Sequence, residues 1–168
     1  MLGLLADLDG KLSQATDDFD FNSYTRLLAD FCNEDLSAFY FDIRKDVLYC
    51  DLGPSAPLGT DTRRAYRTVL DSLFQALVRY AAPVLVFTAE EVWTTRYPEG
   101  GSVHLLEWPV IATAADAALA DKWTKVREQR VSVSNAIEPF RREKIIRSSL
   151  EAEVTIPNPA LDVAALEE

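Results

Sequence analysis

Two adjacent glutamates, Glu90 and Glu91 in F-T-A-E-E-V-W, are the residues of this chain whose types and spacing first suggest acid–base chemistry. Glycoside hydrolysis needs two carboxyl groups about 5 to 10 Å apart that converge on one bond. Neighbouring residues of a helix instead point about 100° apart. The spacing of Thr88 and Glu91 matches a capping box, in which each side chain binds the backbone amide of the other residue. We therefore predict that the pair begins a helix and is not catalytic.

The other residues that could support catalysis or bind a metal are few. His104 is the only histidine, so every Ser-His-Asp or Cys-His arrangement would depend on it, and its apolar surroundings favour a core or edge position. Cys32 and Cys50 lie 18 positions apart without a C-x-x-C motif, which predicts free thiols and no zinc site. No catalytic residue and no metal ligand is predicted. The enzymatic alternative is a hydrolase in which one glutamate has a raised pKa inside a pocket.

The charge of the chain is unevenly distributed. The net charge is −10, which disfavours a general nucleic-acid binder. Residues 122–147 nevertheless hold eight basic and three acidic residues, a local charge of +5 that leaves −15 for the rest. An anionic partner must therefore bind a local patch. The densest basic run, R-R-E-K-I-I-R at 141–147, is the best candidate that charge alone offers.

Apolar residues recur every three to four positions over most of the chain, which predicts a mainly α-helical protein. The expected helices are 20–49 with Asp20 or Asn22 as N-cap, a helix from Thr60 or Asp61 to Pro83, one from Thr88 to the turn 97–102, and one from about Ala114 to Pro139. We expect a bundle in residues 1–112, and a long helix with the start of a truncated C-terminal module in residues 113–168.

Three segments do not follow the helical pattern. The run 52–60 contains two glycines and two prolines, which predicts a loop. V-H-L-L-E-W-P at 103–109 is expected to be a short extended piece. L-E-A-E-V-T-I-P at 150–157 alternates apolar and polar residues, which predicts a short C-terminal strand. A lone strand needs partners, so we expect them beyond residue 168, in a longer polypeptide.

Several blocks of the sequence resemble a known family. The chain is similar, in order, to the C-terminal part of bacterial isoleucyl-tRNA synthetases over D-L-S-A-F-Y-F-D-I-R-K-D-V-L-Y (35–49), A-L-V-R-Y-A-A-P-V-L-V-F-T-A-E-E-V-W (76–93), S-V-H-L-L-E-W-P (102–109) and the stretch 126–156. The resemblance covers roughly residues 15–157. It implies a helical bundle of the class I synthetase anticodon-binding type, which receives the anticodon stem-loop of isoleucine tRNA.

The resemblance also implies what this chain lacks. Synthetases of this family join isoleucine to its tRNA using ATP, and their H-I-G-H and K-M-S-K-S signatures do not occur here. The resemblance thus implies that this chain is a binding portion without ligase activity of its own. ATP, magnesium and a distal zinc are expected only in the full-length parent. The expected partners are isoleucine tRNA and the catalytic, editing and C-terminal domains of the parent. We expect a cytoplasmic protein that binds no membrane.

Basic side chains would contact the phosphates of such an RNA. The predicted tRNA-binding residues are Arg44, Lys45, Arg63, Arg64, Arg67, Arg127, Arg130 and Arg141. Arg147 occupies a position where the family often has glycine, so the conformation of the turn at 146–148 is not predicted. The acidity of the chain supports an alternative, a helical protein–protein interaction module that binds no RNA. A basic cleft would favour tRNA, whereas a substantial exposed apolar groove would favour the module.

Overall fold

A computed structural model describes residues 1–49, 60–111 and 116–155, and most of these residues are helical, as the sequence predicts. The chain divides into two compact units, Met1–Ala114 and Ala115–Glu168. The elements are α1 (Leu2–Asp17), α2 (Phe21–Asp30), a π-helical segment (Phe31–Phe41), α3 (Asp42–Tyr49), α4 (Thr60–Ala81), α5 (Val86–Arg96), a 3-10 turn (Val103–Leu105), α6 (Ala117–Arg142) and a second 3-10 turn (Ser149–Glu151).

Helix α1 ends in a left-handed turn that leads into α2. The Asp20 amide donates to the Ala15 carbonyl at 2.8 Å, and the Phe19 amide donates to the Thr16 carbonyl at 3.1 Å. Phe19 has a φ of +57°, so it occupies the left-handed position that glycine usually fills in this type of helix end. Asp20 then begins α2 by accepting from the Ser23 amide at 3.0 Å, which confirms Asp20 as the N-cap out of the two predicted candidates.

The predicted helix 20–49 is continuous, but its middle is wound more widely than an α-helix. Phe31 and Leu36 are five positions apart and both are buried. This spacing suits the i to i+5 hydrogen bonds of a π-helix, since an α-helix would turn one of the two away from the core. Val47 is the buried residue of the α3 turns that follow. The apolar pattern thus predicted the element but not its winding.

A network of hydrogen bonds around Tyr80 ties the first unit together. The hydroxyl of this fully buried residue donates to Asp9 Oδ1 at 2.6 Å, and Trp108 Nε1 donates to the same oxygen at 2.7 Å. The Tyr24 hydroxyl donates to the Tyr80 carbonyl at 2.8 Å. The network joins α1, α2, α4 and the segment that follows the first 3-10 turn.

Alkaline pH is expected to destabilise the first unit. Burial raises the pKa of Tyr24 and of Tyr40 to about 12, and burial together with the hydrogen bond to Asp9 raises that of Tyr80. Tyrosines of the unfolded chain ionise near pH 10. The contribution of these tyrosines to the free energy of unfolding should therefore be constant below about pH 10 and should fall as the pH rises from about 10 to 12. Urea unfolding at several pH values measures this, and equal stability throughout would contradict it.

Helix α5 begins earlier than predicted. Its first residue is Val86, and Leu85 occupies the N-cap position without a side-chain hydrogen bond. The predicted capping box of Thr88 and Glu91 is therefore wrong, because both residues already lie inside the helix. The prediction of an extended segment at 103–109 is also partly wrong, since Val103–Leu105 forms a 3-10 turn.

The second unit is built on α6. Asp116 accepts from the Leu119 amide at 2.9 Å, and the helix continues one turn past Pro139, the residue near which it was predicted to end. None of the residues of α6 is buried. After the helix, the Ile145 amide donates to the Phe140 carbonyl at 2.9 Å.

The left-handed residue of this helix end is Lys144, with a φ of +58°. The Lys144 amide donates to the Arg141 carbonyl at 3.1 Å, which completes a Schellman motif. A glycine was considered for this turn at 146–148. The left-handed residue instead lies three positions before Arg147, at Lys144. Lysine takes this position despite the steric cost of its Cβ.

The predicted C-terminal strand is not formed in the described part of its segment. Ser149–Glu151 is a 3-10 turn, residues 152–155 have no regular structure, and residues 156 and 157 lie outside the described residues. A strand needs a ladder partner, and none of the described residues provides one. Most of the predicted loop 52–60 also lies outside the described residues, which resume at Thr60. Among the described helices, none is long and apolar enough to span a bilayer.

Candidate nucleic-acid interface

The two glutamates of the F-T-A-E-E-V-W segment have different environments. Glu90 Oε2 accepts from the Ser102 hydroxyl at 2.9 Å and from the Val103 amide at 3.0 Å. Glu91 is exposed. Glu90 therefore holds the first 3-10 turn against α5, which is a structural task.

Replacing Glu90 by alanine should cost about 2 kcal/mol of unfolding free energy, because two partly buried donors lose a charged acceptor. The matched change Glu91→Ala, one residue further along the same helix, should change it by about 0.5 kcal/mol or less. Urea unfolding of the two variants provides the comparison. Equal losses at both positions would contradict the structural task given to Glu90.

The five predicted tRNA-binding residues of the first unit lie on the contacting helices α3 and α4. Together they are named the α3–α4 basic group: Arg44, Lys45, Arg63, Arg64 and Arg67. Arg63 Nε donates to the Val47 carbonyl and Arg63 Nη2 to the Leu48 carbonyl, both at 3.1 Å. A cation at the C-terminal end of a helix is stabilised by the helix dipole. Arg63 therefore joins α4 to the end of α3.

Two other members of the α3–α4 basic group have acidic partners on their own helices. Lys45 Nζ lies 3.0 Å from Asp42 Oδ1, and Arg64 pairs with Asp61. Arg67 is exposed on α4. Exposed pairs of this kind contribute little stability, so an incoming phosphate can compete for the cations at small cost.

Arg44 lies near the aromatic contact between α4 and the π-helical segment. The Tyr40 and Tyr66 rings pack edge to face, with centroids 5.3 Å apart. Burial raises the pKa of Tyr66, and the positive charge of Arg44 opposes that shift. The structure thus gathers the five residues on adjoining helices, but assigns Arg63 to holding those helices together.

The second unit contains a hollow of about 550 Å³ at the end of α6, here named the basic hollow. It is lined by Glu138, Arg141, Arg142, Lys144, Ile146 and Arg147. The carboxylate of Glu138 accepts from Arg141 Nη1 at 3.3 Å and from Arg142 Nε at 3.4 Å. Four cations therefore share one acid in the lining, which leaves a local excess of positive charge.

The Schellman motif after α6 creates this arrangement. Because the chain turns at Lys144, Arg147 comes to line the same hollow as Arg141. The Arg147 amide donates to Glu151 Oε2 at 3.2 Å, which anchors the returning segment. The C-terminal dipole of α6 also favours the nearby cations. The hollow is therefore suited to an anion that offers several oxygens, such as a phosphate group.

The predicted residues of the second unit do not all lie at this hollow. Arg141 lines it, whereas Arg127 and Arg130 are partly buried on α6, about 16 to 21 Å earlier along the helix axis. Three lining cations, Arg142, Lys144 and Arg147, were not among the predicted tRNA-binding residues. The dense basic run at 141–147 was the signal that pointed to them.

Comparison with known proteins identifies the family. Residues 1–156 match the family described as the anticodon-binding domain of tRNA ligase. The isoleucine–tRNA ligase of Zymomonas mobilis is 63% identical over 158 residues, which cover 94% of this chain and 17% of that protein. The ligases of Agrobacterium fabrum and Mesorhizobium japonicum are 50% and 48% identical, over 90% and 98% of this chain. The chain spans about one-sixth of the length of these relatives. It therefore belongs to the family of anticodon-binding domains of tRNA ligases.

Proposed function

We propose that this chain is the tRNA-binding portion of an isoleucine–tRNA ligase and that it holds the anticodon stem-loop of isoleucine tRNA. The family match and the identity to isoleucine–tRNA ligases support this assignment. The complete ligase would attach isoleucine to the tRNA using ATP, in the cytoplasm. ATP, magnesium and zinc would serve the parts of the ligase outside this chain.

The basic hollow is the observation that carries the proposal. A guanidinium group can bind two phosphate oxygens at once, and a lysine ammonium adds a compact charge. Arg141, Arg142, Lys144 and Arg147 together could contact consecutive phosphates of a nucleic-acid backbone. Such contacts set position, while stacking and polar groups read the unpaired bases of an RNA loop.

The negative charge of the remaining chain restricts where an RNA can bind. Outside residues 122–147 the chain has a charge of −15, which repels an RNA backbone. Contacts should therefore concentrate at the basic hollow and at the exposed members of the α3–α4 basic group. The excess of positive charge at the hollow favours an RNA partner over the alternative, a module that binds only protein.

A gel-shift titration with isoleucine tRNA tests the proposed function. The folded chain should bind weakly, with an affinity that falls steeply between about 50 and 200 mM salt. An isoleucine anticodon stem-loop should compete for the chain, whereas a stem-loop with a different anticodon should compete less well. A folded chain that binds neither the tRNA nor the stem-loop would contradict the proposal.

A further inference from the structure

An apolar surface, here named the apolar patch, surrounds the start of α5. It consists of Val84, Leu85, Val86, Phe87 and Leu105, all of which are exposed. Phe87 is 89% exposed and Leu105 is 84% exposed, which are very high values for large apolar side chains. Single exposed apolar residues are common on monomers, but contiguous apolar patches mark interaction surfaces.

Contacts between α5 and the first 3-10 turn make this surface continuous. His104 Nε2 lies 3.2 Å from the Val86 carbonyl oxygen. Glu90 binds Ser102 and Val103, the residues that begin the turn. These contacts hold the turn that carries Leu105 beside the first turn of α5.

The start of α5 places an apolar residue where a polar one would stabilise the helix. Leu85 occupies the N-cap position, for which serine, threonine, aspartate or asparagine is usual, and it makes no capping bond. Residues 84–87 are instead a continuous apolar run, V-L-V-F. The local sequence favours apolar surface over helix capping, which is expected where that surface is covered by another protein segment.

The charges near the apolar patch disfavour RNA as its occupant. The exposed Glu91 and Glu107 lie within four positions of the patch in sequence, together with the partly exposed Glu90. The α3–α4 basic group lies at the opposite end of α4, where Arg63 and Arg67 are about 20 to 27 Å from Ala81 along the helix axis. The α3–α4 basic group is thus well separated from the apolar patch.

We propose that the apolar patch is the docking surface for the remaining polypeptide of the same isoleucine–tRNA ligase, an inference that rests on the proposed function. The relatives are about six times longer than the aligned part of this chain, so most of such a ligase lies outside it. A covalently linked domain has a high effective concentration at the patch, which favours it over a second copy of the chain. Its contacting face should be apolar at the centre.

Hydroxyl-radical footprinting of the isolated chain and of the complete ligase polypeptide tests the docking. In the isolated chain, Phe87 should react as strongly as Phe19, which is 80% exposed. In the complete polypeptide the reactivity of Phe87 and Leu105 should fall about tenfold, because the core of an interface excludes water. Equal reactivity in both polypeptides would overturn the proposal.

A double variant, Phe87→Ser with Leu105→Ser, gives an independent measurement. The exposed positions predict an unchanged unfolding free energy in the isolated chain. The same variant of the complete polypeptide should be cleaved several-fold faster by protease, because its docked domain opens more often. Val131→Ser, at an exposed apolar position on α6, is the matched control and should leave cleavage unchanged. Unchanged cleavage of the double variant would overturn the proposal.

The tRNA titration separates failure of this inference from failure of the proposed function. The double variant of the isolated chain should bind isoleucine tRNA as the unaltered chain does. Protection of Phe87 in the complete polypeptide without any tRNA binding by the chain would contradict the proposed function alone. Protection that appears only after tRNA is added, or in the isolated chain at rising protein concentration, would overturn the docking.

Discussion

Replacing the four cations of the basic hollow by glutamine should weaken binding of isoleucine tRNA by about a hundredfold at low salt, of the order of 50 mM. The variant combines Arg141→Gln, Arg142→Gln, Lys144→Gln and Arg147→Gln. Each phosphate contact contributes roughly 0.7 to 0.9 to the slope of log affinity against log salt. Loss of four contacts should therefore make that slope about three shallower, which a salt series of gel-shift titrations measures.

Two further variants show whether the effect belongs to the basic hollow. Lys11→Gln with Lys125→Gln removes two exposed cations that pair with Asp7 and Asp121, outside both basic groups. This control should leave the slope nearly unchanged. Arg67→Gln, in the α3–α4 basic group, should make the slope shallower by about one if that group also contacts phosphate. A quadruple variant that keeps its helical content and its slope would contradict phosphate binding at the hollow.

Replacing Asp9 by alanine should lower the unfolding free energy by about 3 kcal/mol, the largest stability effect expected here. The Tyr80 hydroxyl and the Trp108 indole N–H would both lose the carboxylate oxygen that they share. Tyr80 is fully buried, so its hydroxyl would have no water to replace that acceptor. Urea unfolding of the variant and the unaltered chain measures the difference.

The matched variants separate the hydrogen bonds from general changes to α1. Asp9→Asn keeps an acceptor oxygen without the charge, so it should cost only about 1 kcal/mol. Asp7→Ala, two residues earlier on α1, removes only an exposed ion pair with Lys11 and should cost about 0.5 kcal/mol or less. A loss at Asp7 as large as the loss at Asp9 would contradict the network.

The predictions from local pattern were accurate where one helix face decides the structure. Helix α4 begins at Thr60 and ends at Ala81, two residues before Pro83, because proline cannot continue the hydrogen-bonded turns. None of the predicted elements covers α1, although Leu5, Leu8 and Leu12 have helical spacing. Gly3 and Gly10 weaken the local helical signal, and packing of the leucines overrides it.

Features that depend on contacts distant in sequence could not be predicted in this way. The spacing of Thr88 and Glu91 satisfies the capping-box pattern, yet the adjacent Glu90 makes the structural contact, to Ser102, twelve residues further along. Arg63 was predicted to bind phosphate from its charge, and the structure adds a contact that the sequence does not specify, to carbonyls of α3, sixteen residues earlier at Val47. Sequence spacing does not specify these pairs, because they form only when separate helices pack.

The positive charge of the candidate site was predicted from the sequence, but its geometry was predicted only in part. The basic run 141–147 indicated where positive charge concentrates, and four of its cations line the hollow. Their convergence depends on the left-handed conformation of Lys144, a position at which glycine or asparagine would have been recognisable. A lysine gives no such signal, so Arg142, Lys144 and Arg147 were not selected.

The π-helical segment Phe31–Phe41 makes the rotational setting of α3 depend on chain length. Deleting one residue there with the winding unchanged would turn everything downstream by roughly 100°, whereas relaxation of the wide turns toward α winding, which uses fewer residues per turn, would offset that rotation. In the first case Val47 would rotate out of the core. Family members that differ by one residue in this segment should therefore differ either in the winding of this helix or in the face of α3 that packs against α4.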